Sequence, residues 1–181
     1  MKATGIVRRI DDLGRVVIPK EIRRTMRIRE GDPLEIFTNR DGEVIFKKYS
    51  PIGELSEFAG DYADVLSRTT GRVVCVTDKD SVIAVAGAPK KELVDKKVSQ
   101  EMENIMNSRC VYKGEEGNDV EIIEGETAYI VGVAVPIITE GDTVGTVAIL
   151  GSEKDKVRSM GEIELKLASA AAGFIGKHME S

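Results

Sequence analysis

Between Gly5 and Arg29 the chain reads GIVRRIDDLGRVVIPKEIRRTMRIR, a stretch that carries dense positive charge on too few apolar residues to bury a core of its own. Within residues 1–29 nine Lys and Arg stand against three acidic residues, and eight of the nine cations fall between Arg8 and Arg29. That concentration is the footprint expected of a nucleic-acid face. The simpler reading is a solvated surface whose arginines pair with Asp11, Asp12, Glu21, Glu30 or Asp32, but the acids are outnumbered. The cations are mostly Arg, whose planar fork of five donors grips a phosphate or a guanine edge through two bonds at once.

Local pattern predicts where those charges sit. The β-branched content of Gly5–Asp11 favours extended chain, Asp12-Leu13-Gly14 supplies a turn with Gly14 free to take positive φ, and Val16–Ile18 continue as a second strand. Pro19 suits the first position of a short helix. On that helix Ile22 and Met26 form an apolar stripe predicted to face inward, while Arg23 and Arg27, with Arg24 beside them, face outward. After Gly31-Asp32-Pro33, a hairpin is expected around Asp41-Gly42, flanked by Leu34, Ile36 and Val44–Phe46. About 50 residues with so thin an apolar inventory fall in the range where oligomerisation completes the core, so an obligate dimer is predicted. A two-fold protein presents two equal Arg sets to a pseudo-palindromic or symmetrically shaped DNA site.

Thr4-Gly5-Ile6-Val7-Arg8, Leu13-Gly14-Arg15-Val16-Val17-Ile18-Pro19 and Glu21-Ile22-Arg23-Arg24-Thr25 resemble the DNA-binding domain of the AbrB family of bacterial transition-state regulators. The resemblance covers roughly residues 1–50 and implies a swapped-hairpin barrel, in which two chains exchange β-hairpins to build one dimeric domain. The family's DNA-contacting arginines fall on Arg8, Arg15, Arg23 and Arg24; Arg9 and Arg27 join them on the stripe pattern alone. Over its full length the chain also resembles sporulation regulators of endospore-forming bacilli. That likeness implies a regulator that activates some sporulation-stage genes and represses others in the forespore, bound to the nucleoid.

The overall charge of −5 hides a split: residues 1–50 carry 12 cations and 8 anions, residues 51–181 carry 14 and 23. A basic head precedes an acidic body, and two domains are expected: 1–50, a short joint at 51–55, and 56–181. No apolar run reaches the length needed to span a bilayer and the start lacks a signal-peptide core, so a cytoplasmic protein with no membrane partner is expected. Cys75 and Cys110 read as free thiols, and with a single histidine, His178, no metal-ligand cluster and no cofactor are expected.

In the body, Ile52, Leu55, Ala59, Tyr62 and Leu66 predict an amphipathic helix ending at Thr70-Gly71. A hairpin over Arg72–Thr77 and Ser81–Ala86 follows, then short helices from Pro89 and from Ser99, the second turning Met102, Ile105 and Met106 inward. The polar loop Gly114–Asp119 reads as mobile. A strand over Ala128–Ile138, with Pro136 marking where pairing ends or bulges, turns into Val144–Leu150. A last helix carries Ile163, Leu167, Ala170, Ala171, Phe174 and Ile175 as its stripe. The order helix, two strands, crossover helices, two strands, helix resembles a GAF domain, so the whole is expected to be α+β: a swapped-hairpin barrel plus an α/β sandwich on an antiparallel sheet.

GAF domains hold small molecules between the sheet and the crossover, here about Pro89–Asn118. Lys90, Lys91, Lys96, Lys97, Arg109 and Lys113 are mixed there with acids, so charge favours no ligand sign, and the cyclic-nucleotide signature is absent. Three functions compete. The first is a DNA-binding dimer or tetramer whose body senses a small molecule or sets the oligomeric state, with double-stranded DNA and further copies of itself as partners. The Ala/Gly-rich last helix and the Ile52–Leu66 helix are the candidates for joining dimers. The second is an antitoxin with the same head, but such proteins carry a disordered tail where this chain has a packed body. The third is a GAF-related thiol reductase using Cys75 and Cys110, although burial of Cys75 in an apolar strand would raise its pKa.

Overall fold

A computed structural model describes residues 5–114, 118–152 and 160–180, with Glu54 and Ser152 described by their backbone alone. Thr4, the middle of the polar loop Gly114–Asp119 and residue 181 therefore lie outside the described residues. The chain divides into two compact units, Met1–Tyr49 and Ser50–Ser181.

The N-terminal unit is a turn, a one-turn helix α1 (Lys20–Thr25) and the hairpin β1 (Leu34–Thr38) with β2 (Val44–Lys48). The two strands pair antiparallel, Leu34 opposite Lys48 and Thr38 opposite Val44. Asp41-Gly42 lies in the connecting turn, where Gly42 has φ of +80° as its place in the sequence implied. Pro19 precedes α1 as its cap rather than its first residue. The helix ends in a Schellman arrangement, with Ile28 N–H donating to Arg23 C=O and Arg27 N–H to Arg24 C=O. Arg27, at φ +50°, holds the left-handed position that glycine usually takes there.

Two expectations for this unit are corrected. Residues 5–10 and 16–18 flank a closed turn but are not strands among the described residues. The stripes on α1 are also mixed: Met26 lies exposed past the helix end, while Arg23 and Arg27 are half-buried and only Arg24 is open to solvent. The two departures share a cause. Apart from Pro19, every apolar residue buried among the described residues comes at Ile52 or later, so the first unit has no core for Met26 to enter or for the extended arms to rest against.

The C-terminal unit begins with a single turn of 3-10 helix (Gly53–Leu55), and Ile52, in the segment expected as a joint, is fully buried. Helix α2 (Ser56–Thr70) stops at Gly71 in the left-handed conformation, as predicted. Then come β3 (Val73–Asp78), β4 (Val82–Ala86), α3 (Lys90–Leu93), α4 (Gln100–Ser108), β5 (Tyr112–Lys113), β6 (Tyr129–Thr139), β7 (Asp142–Ser152) and α5 (Glu162–Met179). The five strands make one antiparallel sheet in the order β4-β3-β7-β6-β5.

Alternation along the central strands feeds two cores. Val74, Val76, Val147 and Ile149 face α2 and α5, meeting Ala59, Ala63, Ala168 and Ile175. Cys75, Ala148 and Leu150 face the crossover and meet Leu93, Met102, Met106 and Ile122. Ser99 caps α4 as expected, its hydroxyl accepting from Met102 N–H at 3.1 Å. Pairing runs straight through Pro136, opposite Thr146, and the irregularities fall to either side of it, between Val131 and Val133 and between Ile137 and Ile138. Proline fits there because β5 pairs only at Val133 and Ala134, and among the described residues no strand lies beside that edge of β6 at Pro136. On α5 the inward face is Ala168, Ala171, Ala172, Ile175 and Gly176, whereas the predicted stripe members Ile163, Ala170 and Phe174 face solvent.

Candidate nucleic-acid interface

The two turns of the N-terminal unit are built on one plan. At the first, Gly14 N–H donates to Asp11 C=O at 3.0 Å and Asp11 N–H donates to Arg15 C=O at 3.0 Å. Asp11 Oδ1 accepts from Leu13 N–H at 3.0 Å and from Arg15 N–H at 2.7 Å. At the second, Gly42 N–H donates to Asn39 C=O and Asn39 N–H to Glu43 C=O, both at 3.3 Å. There Asn39 Oδ1 accepts from Asp41 N–H at 3.1 Å and Glu43 N–H at 2.9 Å. A short polar side chain that bonds its own backbone, followed by glycine at positive φ, is what each three-residue loop requires.

The first turn carries Arg15 at its end. Arg15 Nε donates to Asp11 Oδ2 at 2.8 Å, yet its side chain stays 70% exposed. The Arg15 amide first, then its guanidinium, and the Leu13 amide hold the Asp11 carboxyl below its ordinary value. Arg8 and Arg9 lie exposed on the preceding arm, where Arg8 Nη1 donates to the carbonyl of its neighbour Val7 at 3.3 Å.

On α1, Arg24 is exposed, and Arg23 is half-buried with an Nε that is buried and unpaired among the described residues. Arg27 is half-buried as well, and its carbonyl accepts from Lys48 Nζ at 3.0 Å. The same ammonium lies 3.5 Å from Asp32, whose Oδ2 accepts from Arg29 N–H at 2.8 Å. Lys48 thus ties the end of α1 to β2 and was missed as a structural cation, because nothing in the local pattern joins positions 21 residues apart.

The apolar residues between these cations are unusually open, Val7 at 84% and Val17 at 71%, with Ile10 and Leu13 similar. A patch rich in guanidinium beside exposed apolar side chains can bind phosphate and offers a surface for a second chain to cover.

The thiols do not form a pair: Cys75 is buried on β3, where desolvation pushes its pKa far above the ordinary value, and Cys110 is exposed beyond α4. Among the described residues no three metal-binding side chains cluster, and no helix is long and apolar enough to cross a membrane.

The family described as stage V sporulation protein T C-terminal, transcription factor, matches residues 54–180. The chain belongs to this family. Over 99% of its length and of its relative's it is 51% identical to stage V sporulation protein T of Bacillus subtilis (strain 168). Membership in the stage V sporulation protein T family sets the protein among transcription factors rather than enzymes. Residues 7–53 match the family described as antidote-toxin recognition MazE, bacterial antitoxin. The head is also 61% identical to the N-terminal DNA recognition domain of the Bacillus subtilis regulator AbrB, over 28% of this chain and 94% of that one, with a TM-score of 0.25. The body has the fold of the GAF domain of an Acinetobacter phosphoenolpyruvate-protein phosphotransferase: TM-score 0.53 and 9% identity, over 71% of this chain and 87% of that one.

Proposed function

We propose that the protein binds double-stranded DNA and regulates sporulation-stage genes, activating some and repressing others. Two chains complete one N-terminal barrel and set Arg8, Arg15, Arg23 and Arg24 on its DNA face, Arg9 and Arg27 flanking them. The observation that carries this reading is the state of the first unit: arginines and open apolar arms with no buried core of their own. Pairing the arms 5–10 and 16–18 with those of a second chain would supply the missing strands and remove Val7, Ile10 and Val17 from water, each burial contributing about 1.5–3 kcal/mol. The 61% identity of this segment to a DNA recognition domain supports the choice of nucleic acid as the partner.

Duplexes selected from a random pool by the full chain provide the test. If six to eight phosphates are neutralised per dimer, log affinity should fall against log salt with a slope of about −5 to −7, and Arg8→Ala or Arg24→Ala should weaken binding by about 1–3 kcal/mol. Affinity indifferent to salt and to both substitutions would refute the proposal.

The second unit serves assembly. The space under the crossover is filled by Val82, Leu93, Met102, Met106 and Ile122, which supports packing over ligand capture there. The outer faces of α2 and α5 carry exposed Val65, Ile163 and Phe174, with Phe58, Tyr62, Phe174 and His178 in mutual ring contact. Joining dimers through these faces makes a tetramer, and light scattering of the full chain should return the mass of four chains. The protein acts in the cytoplasm on the nucleoid, and in the forespore during sporulation.

A further inference from the structure

We infer that Asp11 is a positioning residue for DNA recognition: its Oδ2 holds the Arg15 guanidinium by Nε and aims the two terminal nitrogens at the DNA. The inference rests on the DNA-binding reading of Arg15 given above.

The two oxygens of Asp11 do separate work. Oδ1 takes both backbone amides of the turn, from Leu13 and Arg15, and Oδ2 takes only the Arg15 side chain. The second turn of the same unit shows which of these the backbone needs. Asn39 closes an equivalent loop through Oδ1 alone, and its other side-chain atom, Nδ2, donates to Glu43 Oε2 at 2.6 Å. An amide therefore suffices to build the turn, and the carboxylate at position 11 adds something the fold does not require. What it adds is a fixed direction for Arg15. With Nε engaged, four N–H donors on the terminal nitrogens remain, and among the described residues they have no other partner. A guanidinium anchored at Nε presents its outer edge as a preformed fork for a phosphate or for guanine O6 and N7, having already lost the freedom that binding would otherwise remove.

Electrostatics alone makes the opposite forecast. A carboxylate beside DNA repels phosphate, so removing it should tighten binding. Asp11→Asn separates the two views: the amide keeps Oδ1 for the turn, while its Nδ2 is a donor that cannot accept from Arg15 Nε.

The experiment uses the full chain, a duplex selected from a random pool by the unaltered protein, and poly(dI-dC) as the non-specific competitor. Asp11→Asn should weaken binding to the selected duplex by about tenfold through its coupling to Arg15, while affinity for poly(dI-dC) holds or rises. In an Arg15→Ala background the same substitution should cost nothing. The double variant Asp11→Asn with Arg15→Glu rebuilds the Asn39–Glu43 pair and should fold with the turn intact, as judged by the protection of the Arg15 position amide against exchange. Selected-duplex binding that is unchanged or tighter in Asp11→Asn overturns the inference, as does an equal loss in the Arg15→Ala background. Should the unaltered chain select no duplex, the DNA-binding reading itself fails, a result distinct from either.

Discussion

Two glycines three residues apart on α5 should respond to alanine with opposite signs. At Gly173 an added Cβ meets nothing within 4 Å, and the substitution gains about 0.5–1 kcal/mol from helix propensity and a less flexible unfolded chain. At Gly176 the same Cβ would lie 2.3 Å from the carbonyl oxygen of Ile138 and 3.3 Å from its carbon. That obstacle is the backbone of β6, which pairs with β7 along its length and cannot swing aside as a side-chain tip would. Either α5 lifts off the sheet, loosening Ile175 and Ala172 beneath it, or β6 distorts. Overpacking costs about 1–3 kcal/mol, the upper part of that range where the obstacle is paired backbone, and after the propensity gain a net loss of about 1–2 kcal/mol remains. For a unit of this size the midpoint of thermal unfolding should fall by about 3–8 °C in Gly176→Ala and rise by about 2–4 °C in Gly173→Ala. Circular dichroism melts at one fixed chain concentration, with mass checked by light scattering, make the comparison, because a change in assembly would itself move the midpoint. A Gly176→Ala protein as stable as the unaltered chain would refute the close approach of α5 to β6.

Arg27→Gly should stabilise the N-terminal unit by about 1 kcal/mol, since it relieves a left-handed non-glycine residue; a fall in that unit's melting midpoint would show that the Arg27 side chain contributes more than the strain costs. At mildly alkaline pH a disulfide reagent should titrate one thiol per native chain, Cys110, because burial keeps Cys75 protonated; rapid reaction of two would contradict the packing of β3. Glu180, bonded to Lys177 at 2.9 Å, has its pKa held below the ordinary 4.5 by the Lys177 side chain, then by the Glu140 amide. The stability it contributes is present above 4.5 and is lost as pH falls through the lowered folded value, and Lys177, raised above 10.5, loses its share only as pH climbs past that point. The stability difference between the unaltered chain and Lys177→Met should accordingly be flat near neutrality and vanish in acid; a difference that grows in acid would rule the bond out.

The body was legible where its pattern is local. Val73–Asp78 and Val82–Ala86 are β-branched runs that bury on both faces, Gly71 ends α2 because only a left-handed residue closes that turn, and Ser99 caps α4 as its residue type implies. What misled was context. Ile163 and Phe174 share the helical spacing of core residues, but α5 rests its small residues on the sheet, where close approach matters, and turns the large ones outward. Among the described residues Pro136 stands where β6 has no strand beside it on one side, and pairing on the other side continues past it.

In the head, the arginine-rich segment was evident from charge, and the turn from Asp11, Gly14 and their spacing. The half-burial of Arg23 and the Lys48 link to Arg27 were not, for both depend on how α1 lies against residues distant in sequence. The extended arms read as strands by composition, yet among the described residues 5–10 and 16–18 are not strands, and Val7, Ile10 and Val17 stay exposed.

The proposed pairing of these arms with those of a second chain is open to direct measurement. In a mixture of isotope-labelled and unlabelled full-length chains, denatured together and refolded, isotope-filtered NOE spectra detect contacts between copies only. Methyl groups of Val7, Ile10 and Val17 should show strong contacts to the other copy, and dilution should not separate the two before the unit unfolds. Contacts confined to a single copy, with these methyls exposed to solvent in the intact protein, would contradict a DNA face shared between two chains.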